Sequence, residues 1–344
     1  MNHTVRRRIA RTALKVPVLG FGGATLGDAQ GAISEQQALA AIEAGYLAGI
    51  DYFDTSPWYG NTKSELRFGA VLRDKPRASF VLSTKIGRVY AKCTDPAHPS
   101  QVRWQGGLPF SPTFDYTREG VLGSYEQSLL RLGLAKVDAL LIHDIDEGHQ
   151  GSAAGVEQRL GELADGGGYE ALVRLKAAGE IAAIGAGVNR IGMIAKFLER
   201  FDLDFFLLAM PYTLLSQDAL SEELPLCLTR GVSIVIGAPF ASGILASGAV
   251  LNASYGYQPA PGAMLEKTRQ IAGVCQRHRV PLGAAALQFP LAHPAVVSVI
   301  PGPSSADQVR ANVKWIAHAI PAAFWDELKE KGLLRKDAPV PTAG

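Results

Sequence analysis

A chain of 344 residues with 47 % hydrophobic and 19 % charged side chains is neither disordered, collagen-like nor a coiled coil, and its length permits one large core. A formal net charge of +2, with Lys and Arg scattered apart from Arg6, Arg7, Arg8 and Arg11, excludes a broad basic surface for nucleic acid. Cys93, Cys227 and Cys275 lie far apart without CxxC spacing, which points to a reducing compartment, the cytoplasm, and no apolar run reaches the roughly 18 residues that span a bilayer. The first residues lack a signal-peptide core, so neither export nor membrane anchoring is expected.

The N-terminal arginine cluster reads as a solvated strand edge. After it, short runs rich in Val, Ile and Phe recur and alternate with stretches of helical periodicity. Eight runs read as strands, over residues 16–21, 50–53, 79–84, 137–142, 181–185, 205–209, 233–236 and 296–300. Between the first two, Ser34 with Gln37 reads as a capping box, and Leu39, Ile42 and Tyr46 follow one helical face. Leu122, Tyr125, Leu129 and Leu132 make a second stripe, closed by Gly133 as a C-terminal cap.

Eight βα units predict a closed (β/α)8 barrel in a single domain over residues 1–344. A doubly wound open sheet is the structural competitor. An open sheet binding a dinucleotide calls for a glycine-rich turn after its first strand, and here Gly20, Gly22 and Gly23 give only G-x-G-G. In a barrel the site gathers at the carboxyl ends of the strands, where this chain places Asp54, Lys85, His143 and Asn189. The longest segment outside the alternation, residues 87–116, carries Tyr90, Trp104, Phe110, Phe114 and Tyr116 and is read as a pocket wall.

Chemistry concentrates at three consecutive strand ends. Asp54 and Tyr59 lie in Phe53-Asp54-Thr55-Ser56-Pro57-Trp58-Tyr59-Gly60, Lys85 ends Leu82-Ser83-Thr84-Lys85, and His143 ends Leu140-Leu141-Ile142-His143-Asp144. Each alone has an ordinary structural reading: a helix cap, a half-buried aromatic, a strand-end charge, a core histidine. Together they supply a phenol, an ammonium that would favour its phenolate, a carboxylate to hold that ammonium, and an imidazole to orient the reacting oxygen. A metal hydrolase on the same barrel is disfavoured and no metal site is expected, because His98, His149 and His293 show no paired ligand spacing and Lys85 would compete as a cation.

These residues, with Tyr59-Gly60 followed by Ser64-Glu65, Ser83-Thr84-Lys85, Ser128-Leu129-Leu130-Arg131-Leu132-Gly133 and Val137-Asp138, resemble the aldo-keto reductase superfamily along nearly the whole chain. The resemblance implies a barrel enzyme that passes a hydride between a nicotinamide cofactor and a carbonyl or alcohol carbon, with Tyr59 as general acid or base in a tetrad with Asp54, Lys85 and His143. It implies that Asn189 holds the nicotinamide carboxamide. It further implies that Gly302, Ser304, Gln308 and Asn312 bind the pyrophosphate and adenosine half, with Pro239 nearby. Two positions depart from the family: Ala209 stands where a Gln is common, and Gly237 where many members stack a Tyr on the nicotinamide.

Within the superfamily, Tyr212-Thr213-Leu214-Leu215, Ser242-Gly243-Ile244-Leu245 and the segment from Ala284 to Pro290 are similar to sugar-oxidising aldose dehydrogenases of the D-threo-aldose and L-fucose type, and to pyridoxal 4-dehydrogenases. The leading expectation is an aldose 1-dehydrogenase that makes a lactone. A pyridoxal dehydrogenase or general carbonyl reductase is the alternative, and the intact tetrad argues against a non-catalytic binding subunit. NAD is expected over NADP, because Gly302 and Gln308 stand where NADP-specific members often carry Lys and Arg. Trp58, Trp104 and Phe110 are the expected substrate-pocket residues for a small sugar or aldehyde.

Overall fold

The computed structural model describes residues 2–29, 31–95 and 97–342. Eight strands form one parallel sheet: β1 (Phe21–Gly22), β2 (Tyr52–Asp54), β3 (Val81–Ile86), β4 (Ala139–His143), β5 (Ala183–Val188), β6 (Phe205–Ala209), β7 (Ser233–Gly237) and β8 (Val296–Ile300). Each pairs with its neighbour in chain order. The sheet closes where Gly20 N donates to Val299 O at 2.9 Å, Val299 N to Val18 O at 2.9 Å and Gly22 N to Pro301 O at 2.8 Å. The fold is therefore a closed (β/α)8 barrel, not an open sheet.

The side chains divide by strand face. Tyr52, Val81, Leu141, Phe205, Leu207, Val235 and Ile300 fill the interior, while the opposite faces pack under the surrounding helices in one continuous core. Phe21, Phe53 and Phe68 form an aromatic cluster with centroids 5.7 to 5.9 Å apart, Phe68 standing edge to face on the other two, which locks helix Lys63–Leu72 onto β1 and β2.

Segment 16–21 differs from its expected single strand. Lys15–Pro17 pairs antiparallel with Arg6–Arg8 in a hairpin, while Leu19 bridges Val299 and Phe21–Gly22 pairs with β2 in the barrel. Pro17 has no N–H with which to continue a ladder, so the run breaks there. The hairpin drives Ile9 and Val16 into the floor of the barrel. Its arginines are consequently not all solvated, since Arg7 donates to Leu291 O at 2.9 Å and Val296 O at 2.6 Å.

Ser34 caps helix Glu35–Leu47 by accepting from Gln37 N, but the Gln37 side chain donates to Ser304 O at 2.9 Å, so only half of the expected capping box forms. The buried stripe of that helix is Ala38, Ala41, Ile42 and Gly45, with Leu39 and Tyr46 at its margins. Gly133 takes the left-handed conformation (φ 64°) and closes helix Arg118–Leu132. Segment 87–116 is no irregular loop. Arg88–Lys92 and Phe110–Phe114 pair as an antiparallel hairpin, with helix Pro99–Arg103 at its outer end. No helix among the described residues is long and apolar enough to cross a membrane.

Candidate active site

The carboxyl ends of β2, β3 and β4 bring Asp54, Lys85 and His143 to one mouth, where all three are buried. Lys85 Nζ donates to Asp54 Oδ1 at 2.6 Å and to the Thr55 carbonyl at 2.7 Å, and Ser83 Oγ donates to Asp54 Oδ2 at 2.6 Å. Burial pushes the Asp54 carboxyl up, opposed by Lys85. The turn after β2 carries Tyr59 over this pair. Lys85 Nζ lies 4.9 Å from the Tyr59 ring centroid, and the His143 ring stands edge-on to Tyr59 at 6.1 Å.

Tyr59 differs from the expected tuned phenol. Its pKa is pushed well above the ordinary phenol value, first by burial, then by Asp54, Tyr257 and Asp144, with Arg88 pulling the other way. Lys85 is already committed to Asp54 and Thr55, so the carboxylate offsets the charge that would favour a phenolate. Tyr59 is thus a phenol at neutral pH. His143 is held well below the ordinary imidazole value, by burial first and then by Lys85 and Arg88 against the pull of Asp144, so it is a neutral ring.

Further layers support these groups. Thr84 Oγ1 donates to Glu65 Oε1 and Arg131 Nε to Glu65 Oε2, both at 2.6 Å, which ties the strand bearing Lys85 to two helices. Asp138 Oδ2 accepts from Leu82 N at 2.7 Å and from Arg77 at 2.6 Å, fixing the start of the same strand. A Cβ on Gly27 would sit 2.3 Å from the Tyr59 carbonyl carbon, so the turn Ala24–Gly27 is packed directly against the backbone that carries Tyr59.

Trp58 and Trp104 stand edge to face at 5.3 Å, and Trp104 lies 6.3 Å from Tyr59, so two of the three expected pocket residues reach the tetrad. Phe110 does not. It pairs with Lys92 at the outer end of the hairpin and is 36 % exposed. Phe114, four residues further along the strand and opposite Arg88, occupies the inner end instead, since four residues of strand cover about 13 Å.

The residues expected to hold a dinucleotide follow β5, β7 and β8, with Asn312 on the helix after β8. Asn189 follows β5 directly, and among the described residues neither its amide nor that of buried Asn312 makes a hydrogen bond. Ser305, rather than Ser304, caps helix Ala306–Ala317, accepting from Gln308 N. Gln308 Oε1 accepts from Ser304 N at 2.7 Å, so this side chain closes the cap of its own helix. A Cβ at Gly22 would meet Ile300 O at 2.8 Å, and one at Gly302 would meet Gly22 O at 3.2 Å, so both glycines keep the backbones of β1 and the segment after β8 close. Pro239 is buried after β7. At position 237 an added Cβ would meet the end of the Leu207 side chain at 2.7 Å, so this glycine packs directly against the barrel interior. Two side-chain amides without a partner among the described residues, together with the positive start of the helix that Ser305 caps, fit an anionic dinucleotide.

Residues 18–332 match the Aldo/keto reductase family. The chain belongs to that family. It is 40 % identical over 337 residues to pyridoxal 4-dehydrogenase of Microbacterium luteolum, covering 96 % of this chain and 98 % of the relative. It is 37 % identical over 336 residues to D-threo-aldose 1-dehydrogenase of a Pseudomonas species, covering 94 % and 97 %. In structure it resembles the holo form of an aldo-keto reductase from Bacillus halodurans, with a TM-score of 0.75, 25 % identity and 98 % of both chains covered. The protein is an oxidoreductase, and as an aldo-keto reductase it uses a nicotinamide cofactor.

Sequence reasoning missed three groups at this aldo-keto reductase site. Arg88 is buried between the rings of Trp58 and Phe114, each 4.5 Å away, and pairs with Asp144 at 2.7 Å. Asp144 directly follows His143, and adjacency in the chain was the one available signal. Tyr257, exposed over 45 % of its surface, comes within electrostatic reach of Tyr59 and Asp144 from a hairpin nearly 200 residues downstream. Nothing local marks it.

Proposed function

We propose that this aldo-keto reductase oxidises the hydroxyl-bearing carbon of a small cyclic hemiacetal to the lactone while reducing NAD, with C1 of an aldose of the L-fucose or D-arabinose type as substrate. The observation that carries the reading is the meeting of Tyr59, His143 and the Lys85–Asp54 pair beside the Trp58–Trp104 wall. An apolar wall of indole edges suits the C–H face of a pyranose. Tyr59 takes the hydroxyl proton as the carbonyl forms, and His143 holds the same oxygen. Asn189 and Asn312, with Gly302, Ser304, Gln308 and Pro239 around them, are the groups that would hold the cofactor. Bound there, oxidised nicotinamide supplies the hydride acceptor, and its positive ring favours the Tyr59 phenolate.

A second reading, pyridoxal as substrate, draws on the 40 % identical relative. Pyridoxal carries an aldehyde beside a hydroxymethyl group and closes to a cyclic hemiacetal, so the same kind of bond is oxidised, and the wall would stack a pyridine ring. Segment 87–116 contributes Trp104 to that wall in either case, with Phe114 behind it against Arg88. The three unpaired cysteines suit a reducing cytoplasm.

NAD is preferred because Gly302 and Gln308 bring no charge to a 2′-phosphate, and Arg310 is paired with Asp307 on its own helix. A missing charge-assisted contact is worth roughly 1.5–3 kcal/mol, so on the order of tenfold or more should separate the two cofactors. Assays with L-fucose, D-arabinose and pyridoxal against both nicotinamides, with chromatography of the product, test the proposal. A sugar lactone supports it. Activity on pyridoxal with none on either sugar overturns the aldose reading, and equal specificity constants for the two cofactors overturn the NAD preference.

A further inference from the structure

The buried cation–anion pair beside His143 is not required by a tetrad. Arg88 enters from the base of the hairpin, with its guanidinium held between Trp58 and Phe114. Its Nη1 lies 2.7 Å from Asp144 Oδ2 and 3.4 Å from His143 Nδ1. Asp144 takes a left-handed conformation (φ 59°) immediately after β4, and its Oδ1 lies 3.4 Å from His143 Nε2. The imidazole therefore has a fixed cation at one nitrogen and a fixed anion at the other.

We infer that the Arg88–Asp144 pair is a positioning device that fixes His143 as the neutral Nε2–H tautomer. A guanidinium carries only donors and does not deprotonate in a protein, so the ring nitrogen facing it presents a lone pair. A carboxylate carries only acceptors, so the nitrogen facing it bears the hydrogen. Both members of the pair assign the same tautomer. They also assign the ring orientation, because the flipped ring would turn a C–H toward each of them. Both contacts are longer than a strong hydrogen bond, which leaves Nε2–H free to turn to a substrate oxygen.

The surroundings agree. Ser56 Oγ lies 3.3 Å from Nδ1, and Tyr116 donates to the His143 carbonyl at 2.5 Å. Lys85 on β3 and Arg88 disfavour a charged ring, Asp144 favours one, and His149 opposes it from beyond Asp144. Tyr59 faces the ring edge, and Gly187 on β5 packs its Cδ2 side, where an added Cβ would lie 3.1 Å away. Tyr257 lies within reach of Asp144. Asp144 itself stays ionised: burial works against its charge, and His143, Arg88 and His149 outweigh burial.

The inference rests on the catalytic reading of His143 for its use, but the tautomer can be observed without turnover. Long-range proton–nitrogen NMR of the full chain labelled with 15N-histidine is expected to show His143 as the Nε2–H form across the neutral range. Arg88→Met should raise the pH at which His143 protonates, and with it the acid limb of kcat/KM, by about one unit or more, since a cation a few ångströms away is worth that much. Asp144→Asn should not raise it, and Arg88→Lys should return the limb most of the way. If Arg88→Met fails to fold with a buried carboxylate left unpaired, Arg88→Met/Asp144→Asn removes both charges, and His143 should then show a mixture of tautomers. An Nδ1–H form in the native chain, an upward shift in Asp144→Asn, or an undisturbed Nε2–H form in the double variant overturns the inference. Absence of turnover on every substrate, with the tautomer as expected, would count against the proposed function instead.

Discussion

Tyr59 sits among more groups that oppose its ionisation than favour it, and this sets the pH behaviour of the site. With its pKa pushed well above 10 by burial and by Asp54, the phenolate needed for oxidation becomes more populated as pH rises, whereas the phenol needed for reduction persists through neutral pH. Oxidation rates should therefore climb from pH 7 to beyond 9 while reduction rates stay flat, as parallel pH profiles would show. Tyr59→Phe should cut turnover by about 10²–10⁴-fold and leave cofactor binding intact by fluorescence titration; near-native turnover would remove Tyr59 from the chemistry. Lys85→Met strands the Asp54 carboxylate, which is 1 % exposed, and should cost about 3–5 kcal/mol of stability as well as activity. Asp54→Asn/Lys85→Met should recover much of the stability in denaturant titrations and none of the turnover.

At the scale of elements, the tetrad is held by strand ends and by one tight contact between loops. Helix Lys63–Leu72 begins right after the Tyr59 turn, and its buried Arg67 donates to Leu26 O at 2.6 Å while pairing with Asp28 and Glu35. Lys63 joins Asp28 to the Gly106 carbonyl, at 2.7 and 2.9 Å, so the segment bearing Trp104 is tied to the same turn. Gly27 is a space requirement in this assembly. A methyl group 2.3 Å from the Tyr59 carbonyl carbon has nowhere to go but against backbone. Gly27→Ala should cost about 1–3 kcal/mol by overpacking and, by moving Tyr59 on the order of 1 Å, about 100-fold in kcat. A folded variant with native kcat would show that the turn yields without moving the phenol.

Over the whole molecule, burial of unused ionisable groups sets the alkaline limit of stability. Cys227 and Cys275 are pushed up to about 12, chiefly by burial, whereas thiols in the unfolded chain ionise near 8.5. The unfolded state loses these protons first, so stability should decline from about pH 9 upward, by about 1.4 kcal/mol per pH unit for each thiol until its folded value is reached. Denaturant midpoints at pH 8 and pH 10 check this, and Cys227→Ala/Cys275→Ala should flatten the slope. An equal slope in that variant would assign the loss to the buried tyrosines. The barrel was legible in the sequence because strand formation is local: seven of the eight apolar runs became strands near their expected positions, and Asp54, Lys85 and His143 follow β-periodic segments that must end at one rim. Contacts made across the barrel leave no local pattern. The sequence by itself determined the family and the barrel, and it singled out Asp54, Tyr59, Lys85 and His143, which meet at one mouth, through periodicity and motif. Only the tertiary structure decided that Lys85 is committed to Asp54, that Gln308 closes its own helix, that Phe114 replaces Phe110 at the mouth, and that Arg88 reaches His143, because each depends on the direction of a side chain after distant segments have packed.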